Sequence, residues 1–270
     1  MALACPPRRA LLGPLRPGSA TVPDARLSQT EGMYGRLGMG GIRAHLYSCG
    51  RHALATTPRR RKGRGAMPAP SHDLHGNAPD QAPVALLLID VINDLAFPGG
   101  KALLQHALPM AKRIAALKRR ATQCGIPSIY VNDNFGRWQS DFPHVLRHCL
   151  APESCGKPVV RLLQPAEEDY FVLKPKHSGF YSTTLDLVLQ ALGAHTLILT
   201  GIAGNICVLF TANDAYMRNY ALLIPADCVA SQTVRENTQA LHLMQTVLKA
   251  DIRPSTALDV PQVRAGQRPS

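Results

Sequence analysis

Nowhere in the 270 residues does an apolar run approach the roughly 18 to 20 residues that a membrane-spanning helix needs, so no membrane partner is expected. The cysteines lack the pattern of a disulfide framework. There are seven, an odd number, at irregular spacing: Cys5, Cys49, Cys124, Cys149, Cys155, Cys207 and Cys228. That usage predicts reduced thiols and a cytoplasmic setting. Acidic residues are scarce, 18 against 30 Lys and Arg, for a formal charge of +12. The imbalance is uneven. Residues 1–80 hold 12 of the basic and 4 of the acidic residues, whereas the other 190 hold 18 and 14. The excess thus sits in a segment without hydrophobic period, and a nucleic-acid partner for the whole chain loses its main support.

Residues 1–80 are rich in Gly, Pro and Arg, as in "PRRALLGPLRPGSATVP" and "PRRRKGRG". Such composition buries too little apolar area to offset chain entropy, so a disordered basic extension is expected. The simplest account is an extension without function, with Met67 as the natural initiator and residues 1–66 dispensable. A transit peptide would also suit the first 23 residues, which have arginine and no acid. A nucleic-acid arm at residues 59–64 would rest on five basic residues alone.

What is present begins at residue 84. The chain is 46% hydrophobic, enough for one sizeable core or at most two small ones, and the expected domain spans 81–258 with a flexible tail at 259–270. "VALLLID" is a continuous apolar run ending in a carboxylate, as in a strand buried on both faces. After the turn "FPGG", residues 106–123 predict an amphipathic helix with Lys112, Arg113, Lys118, Arg119 and Arg120 outward and Gly125 behind it. "PSIYV" and "YFVLK" predict the second and third strands, "LDLVLQAL" a helix between Thr183 or Thr184 and Gly193, and "TLILTG" the fourth strand. A helix at "ICVLFTANDAYMRN", a fifth strand at "YALLIP", a helix over 232–249 and a short sixth strand near Ile252 complete the pattern. Strands alternating with helices predict parallel βαβ units, a three-layer α/β/α sandwich around a six-stranded, mainly parallel sheet.

Sites in such sheets lie beyond the carboxyl ends of the strands. That rule selects Asp90 after the first strand, residues 132–134 after the second, Lys174 after the third and the bend Gly201–Cys207 after the fourth. Each has a plain structural explanation alone: Asp90 as a turn cap, Lys174 as a solvated strand end, Cys207 as a small packed hydrophobe. Asp94 reads as a residue that shapes the turn, outside the site.

Three blocks make the pattern more specific: "LLLIDVINDLAFPGG", "VLKPKHSGFYSTTLDLVLQALG" and "LILTGIAGNICVLFTANDAYMRNYALLIPADCVAS". In content and order they resemble the signature blocks of the isochorismatase-like cysteine hydrolases, over roughly residues 84–250. The resemblance implies a catalytic Asp–Lys–Cys triad at Asp90, Lys174 and Cys207. It also implies an oxyanion hole from the backbone N–H groups of Ala203 and Cys207, set by a cis peptide between Ile202 and Ala203. The chemistry is coherent: a thiol near pKa 8.5 is mostly protonated at neutral pH, so it needs a base, and Asp90 supplies one. Lys174 would hold Asp90 ionised, and the N-terminus of the following helix would favour the sulfur anion. A small-molecule substrate, no cofactor and a homo-oligomer are the accompanying expectations.

The sequence departs from that pattern in two places. The family's Asp-x-Gln-x-Asp-Phe block carries Ile92 and Leu95 at the Gln and Phe positions, which is expected to alter the pocket lining. The Asp-x-His of the metal-binding nicotinamidase relatives is missing from "NDNFGRWQSDF". His144 and His148, four apart, read better as ordinary helix histidines, so no metal is expected. In the same stretch Asn132 and Asn134 are candidates to bond the substrate, Phe135 and Trp138 to wall the pocket and Arg137 to pair with an anionic group. The leading expectation is cleavage of a small amide or related C–N bond through an acyl-enzyme. The alternatives are an isochorismatase-type vinyl-ether hydrolase, which needs no thiol, and a catalytically idle binding protein.

Overall fold

A computed structural model describes residues 81–135 and 141–266. The expected extension at 1–80 lies outside the described residues. The sheet is built from β1 (Val84–Ile89), β2 (Ser128–Asp133), β3 (Tyr170–Lys174), β4 (Thr196–Ile202), β5 (Ala221–Leu223) and β6 (Val229–Ala230). Their order is β3-β2-β1-β4-β5, and every pairing is parallel. β6 lies beside the carboxyl end of β4, with Gly201 opposite Val229 and Ile202 opposite Ala230.

The middle strand explains the layers. All six β1 residues are buried, and side-chain alternation divides them between two cores. Val84, Leu86 and Leu88 join the core under α1 (Gly100–Gln123), α2 (Phe142–Cys149) and α3 (Lys157–Leu162). Ala85, Leu87 and Ile89 join the core under α4 (Leu185–Leu192), α5 (Leu209–Met217) and α6 (Val234–Thr246). An unbroken apolar run is thus the pattern that a central parallel strand requires. Each buried aliphatic side chain contributes about 1.5–3 kcal/mol.

Three details differ from expectation. α1 starts at Gly100 and continues through Pro109, which forfeits one backbone bond while Leu103, Ala107 and Met110 gain burial around it. The sixth strand is Val229–Ala230; near Ile252 there is a single bridge, Leu223 to Asp251. Two residues of a strand carry too little period to be read from a sequence. The expected tail is ordered up to residue 266, because α7 (Val260–Arg264) buries Val260 and Val263 in the α1-side core. Arg120 also donates to the carbonyls of Ser255 and Leu258, tying this segment to α1. Residues 267–270 lie outside the described residues.

Candidate active site

The strand order reverses direction between β1 and β4: β2 and β3 lie on one side, β5 on the other. The loops leaving β1 and β4 therefore part, and a crevice opens at their carboxyl ends. Asp90 follows β1 there at φ 51, its backbone N–H donating to Val131 O at 2.9 Å. Gly201 pairs with Ile89 across the crevice floor. A Cβ on Gly201 would lie 2.0 Å from Ile89 O, at φ +118, so only glycine lets the two strands approach this closely.

Lys174, the last residue of β3, is wholly buried and reaches past the end of β2. Its Nζ lies 2.9 Å from Asp90 Oδ2 and 3.5 Å from Cys207 Sγ. It also donates to Lys176 O at 3.1 Å, and Asp133 Oδ2 stands 4.0 Å away. The Asp90 Oδ1 accepts the Asp133 N–H at 2.7 Å. Asp90 just after β1, Lys174 at the end of β3 and Cys207 in the segment after β4 thus meet at one point.

Cys207 arrives through a bend. A cis peptide joins Ile202 to Ala203, and a π-helical turn, Gly204–Val208, runs into α5. The sequence pattern places one helix from residue 206; instead the cysteine lies inside this wider turn. Ala203 O accepts the N–H groups of Ile206 and Val208, at 3.0 and 3.2 Å, and Asn205 N donates to Ser231 Oγ at 3.2 Å. The N–H groups of Ala203 and Cys207, the expected oxyanion donors, lie at the start of this helical segment, where amides outnumber intrahelical acceptors.

The electrostatics assign a resting state. Burial first, and then the Asp90 charge, push the Cys207 thiol up to about 12, with Lys174 only partly opposing them. On that balance the resting sulfur is a thiol. Burial also raises Asp90 from the usual carboxylate range, against the opposing pull of Lys174, Cys207 and the Asp133 N–H. For Lys174 burial pulls the other way, and the Asp90 carboxylate, with the neighbouring sulfur adding to it, outweighs burial, raising the amine and keeping it an ammonium.

Above the three lies a cavity of about 490 Å³, lined by Asp90, Cys207, Ile202 and Ala203 at its floor. Phe97 and Phe135 are aromatic walls; Asn93, Asn205 and Gln232 are polar ones. Of the other expected contacts, Asn132 and Asn134 do not line it. β2 alternation turns Asn132 into the protein, where its Nδ2 donates to Ile92 O at 2.6 Å, and presents Asp133 to the cavity instead. Asn134 is buried as well, its N–H donating to Lys174 O at 3.2 Å. Arg137 and Trp138 lie outside the described residues. Ile92 and Leu95 are core residues and not lining ones, so the departure from the family block changes packing beneath the site.

Asp94 does two things. Its Oδ1 accepts the Ala96 N–H at 3.0 Å, shaping the turn, while its Oδ2 meets His148 Nε2 at 2.8 Å on the cavity wall. His144 lines the same wall. Among the described residues no group of three or more His, Cys, Asp or Glu is arranged to hold a metal ion. Nor is any helix among them long and apolar enough to cross a membrane. His177, which no motif marks in the sequence, also lies at the site, its Nδ1 4.0 Å from Cys207 Sγ. Its one signal was position, three residues beyond Lys174.

Comparison with known proteins agrees with this architecture. The isochorismatase domain matches residues 84–252. The isochorismatase family protein YaaI of Bacillus subtilis (strain 168) is 45% identical over 172 residues, covering 64% of this chain and 94% of YaaI. The ureidoacrylate amidohydrolase RutB of Methylobacterium radiotolerans is 31% identical over 190 residues, covering 60% of this chain and 71% of RutB. The crystal structure of N-carbamoylsarcosine amidase from Thermoplasma acidophilum superposes with a TM-score of 0.51 at 27% identity. That match covers 65% of this chain and 98% of the amidase.

Proposed function

This chain belongs to the isochorismatase family, and from that premise we propose that it is a cysteine hydrolase of a small amide or related C–N bond. The observation that carries the reading is the buried Lys174 amine, 2.9 Å from the Asp90 carboxylate and 3.5 Å from the Cys207 sulfur at the floor of the cavity. The names of RutB and N-carbamoylsarcosine amidase, both of which act on C–N bonds, support it.

In this mechanism Asp90 takes the thiol proton as the sulfur attacks the substrate carbonyl, since a thiol near pKa 12 is a weak nucleophile unaided. Lys174 offsets the negative charge that moves between carboxylate and sulfur. Its position beneath both atoms makes it a counter-ion in either state. The Ala203 and Cys207 N–H groups stabilise the developing oxyanion. The C–N bond then breaks, the proton on Asp90 passes to the leaving nitrogen, and water releases the acid from the thioester. Phe97 and Phe135 hold the apolar part of the substrate.

The test is incubation with a panel of small primary amides, N-carbamoyl compounds and isochorismate, scoring ammonia and pyruvate separately. Ammonia release that vanishes in Cys207→Ala is the expected result. Pyruvate release from isochorismate that survives in Cys207→Ala would replace the amidase by the vinyl-ether hydrolase. Stoichiometric alkylation without turnover of any substrate would favour the binding protein.

A further inference from the structure

The turn that carries Cys207 is held on its outer side by residues the mechanism does not use. Within the turn, Ala203 O accepts two amides, those of Ile206 and Val208. The next peptide is fixed from outside: the Asn205 N–H donates to Ser231 Oγ at 3.2 Å. Ser231 Oγ donates to Asn237 Oδ1 at 3.1 Å, and Asn237 Nδ2 donates to Val229 O at 3.1 Å. These bonds run in one sense, so each side chain accepts from one neighbour and donates to the next. The row is firmly anchored. Ser231 is 1% exposed and lies one residue past the pairing of Ala230 with Ile202. Asn237 belongs to the start of α6, which the reciprocal bonds of Thr233 and Glu236 fix. Gly204 shows how closely the two parts approach. A Cβ there would stand 2.5 Å from Asn237 Oδ1 and 2.6 Å from Val229 Cγ1, so a larger residue would displace the row.

Attack on a carbonyl requires two placements at once. The sulfur must face the carbonyl carbon while the Ala203 and Cys207 N–H groups face its oxygen, and a misplacement of about 1 Å costs catalysis heavily. Asn205 stands between those two residues in the chain, so the tilt of its peptide sets one against the other. We propose that Ser231 and Asn237 are positioning residues for this reaction. They hold the Asn205 amide, and through it the angle between the sulfur and the oxyanion donors. The inference rests on the reading that Cys207 is acylated. Neither side chain lines the cavity, so their effect reaches the substrate only through the turn. Engaged by Ser231, the Asn205 N–H is also withdrawn from the substrate oxygen, which is left to the other two amides.

Two reactions of one sulfur separate positioning from stability. Iodoacetamide is attacked at a saturated carbon and forms no oxyanion, whereas p-nitrophenyl acetate is attacked at a carbonyl and does. Both are followed as adducts on the Cys207 peptide by mass spectrometry, with Cys207→Ala as background. Measurements are made well below each variant's melting temperature, where the whole population is folded. In Ser231→Ala and in Asn237→Ala, acetylation should slow roughly 10–10²-fold while alkylation stays within about twofold of wild type. The steady release of nitrophenol should fall with the burst, because formation and hydrolysis of the thioester each pass through an oxyanion. Ser231→Thr keeps the hydroxyl and should recover most of the acetylation rate. A fall of both reactions by one factor would make the row a mere structural support and overturn the proposal. Wild-type acetylation in both alanine variants would overturn it too, as would a Ser231→Thr variant that melts like wild type yet acetylates no faster than Ser231→Ala. With wild-type Cys207 shown to be acetylated, those results sink the proposal alone. No acetyl adduct on Cys207, with nitrophenol release surviving in Cys207→Ala, would sink the nucleophile reading and the proposal with it.

Discussion

Two lysine–aspartate pairs sit at opposite ends of the sheet and use the same chemistry for different ends. At the amino end of β3, Lys118 of α1 bonds Asp169, whose carboxylate also accepts the Ala166 N–H. The ammonium lies 5.3 Å from the centre of the Tyr130 ring. Every partner there is a turn or a core residue, and the pair fastens α1 to the sheet. At the carboxyl end, Lys174 and Asp90 are more deeply buried, a third group, the Cys207 sulfur, shares the ammonium, and a cavity opens above. A lysine–aspartate ion pair is therefore by itself no sign of a site. A nucleophile within bonding reach of the pair and room for a substrate make the difference.

The largest break in that comparison is Cys207→Ala. Removing the sulfur should cost roughly 10⁴-fold or more in turnover while leaving the fold intact, since the residue is partly open to the cavity and little void results. Equal loss of activity and melting temperature would return Cys207 to the role of a packing residue. Asp90→Asn follows, with an expected loss of roughly 10²–10⁴-fold because the proton acceptor is gone and the shape kept. It has a second, opposite signature. The Asp90 charge raises the Cys207 thiol whereas Lys174 lowers it, so the variant's sulfur titrates at lower pH. Iodoacetamide should label Cys207 faster in Asp90→Asn than in wild type at the same mildly alkaline pH. Slower labelling would mean that Asp90 acts on the resting thiol as a base and not as a like charge.

The two lysines separate stability from chemistry. Lys174→Met leaves a buried carboxylate without its partner and should cost about 3–5 kcal/mol along with turnover. Lys118→Met should cost about 1–3 kcal/mol and leave turnover per folded molecule unchanged. Denaturant midpoints and active-site-normalised rates check both. A Lys118→Met variant that lost catalysis would erase the distinction between the two ends.

The parts of this picture that could be read from residues alone are those where one strand end fixes one side chain. "VALLLID" and "YFVLK" announce their strands, and the residue after an apolar run has nowhere to go but the carboxyl edge. Phase within a strand was harder. Asn132, Asp133 and Asn134 are all polar, so no apolar neighbour shows which faces the cavity, and the structure gives that place to Asp133. His177 depends on how the segment after β3 is fastened to α5 through Ser178 and Gly179, a tertiary matter. α7 carries two buried valines in five residues, one on each side of Pro261, too short a period to distinguish from a tail.

The smallest expected effect concerns the thiols themselves and is a matter of proton counting. Burial leads the rise of Cys149, Cys207 and Cys228 from the ordinary 9.0 to about 12, with nearby Asp94, Asp90 and Asp227 adding to it. Between those pH values the unfolded chain has lost these protons and the folded chain still holds them. The folded state binds more protons, so stability falls as pH rises through the window and is unaffected by these groups below it. Cys207→Ala removes one of the three groups and should make the fall shallower, whatever it does to the stability at neutral pH. Urea midpoints measured at intervals from about pH 8 to about pH 11 give the two slopes directly. Cys228→Ala supplies the control from the core, where the thiol is fully buried and does not line the cavity above Cys207. If Cys207→Ala and wild type lose stability in parallel while Cys228→Ala does not, the sulfur of Cys207 is already ionised in the folded protein at about pH 9, and Lys174 rather than Asp90 governs its resting state.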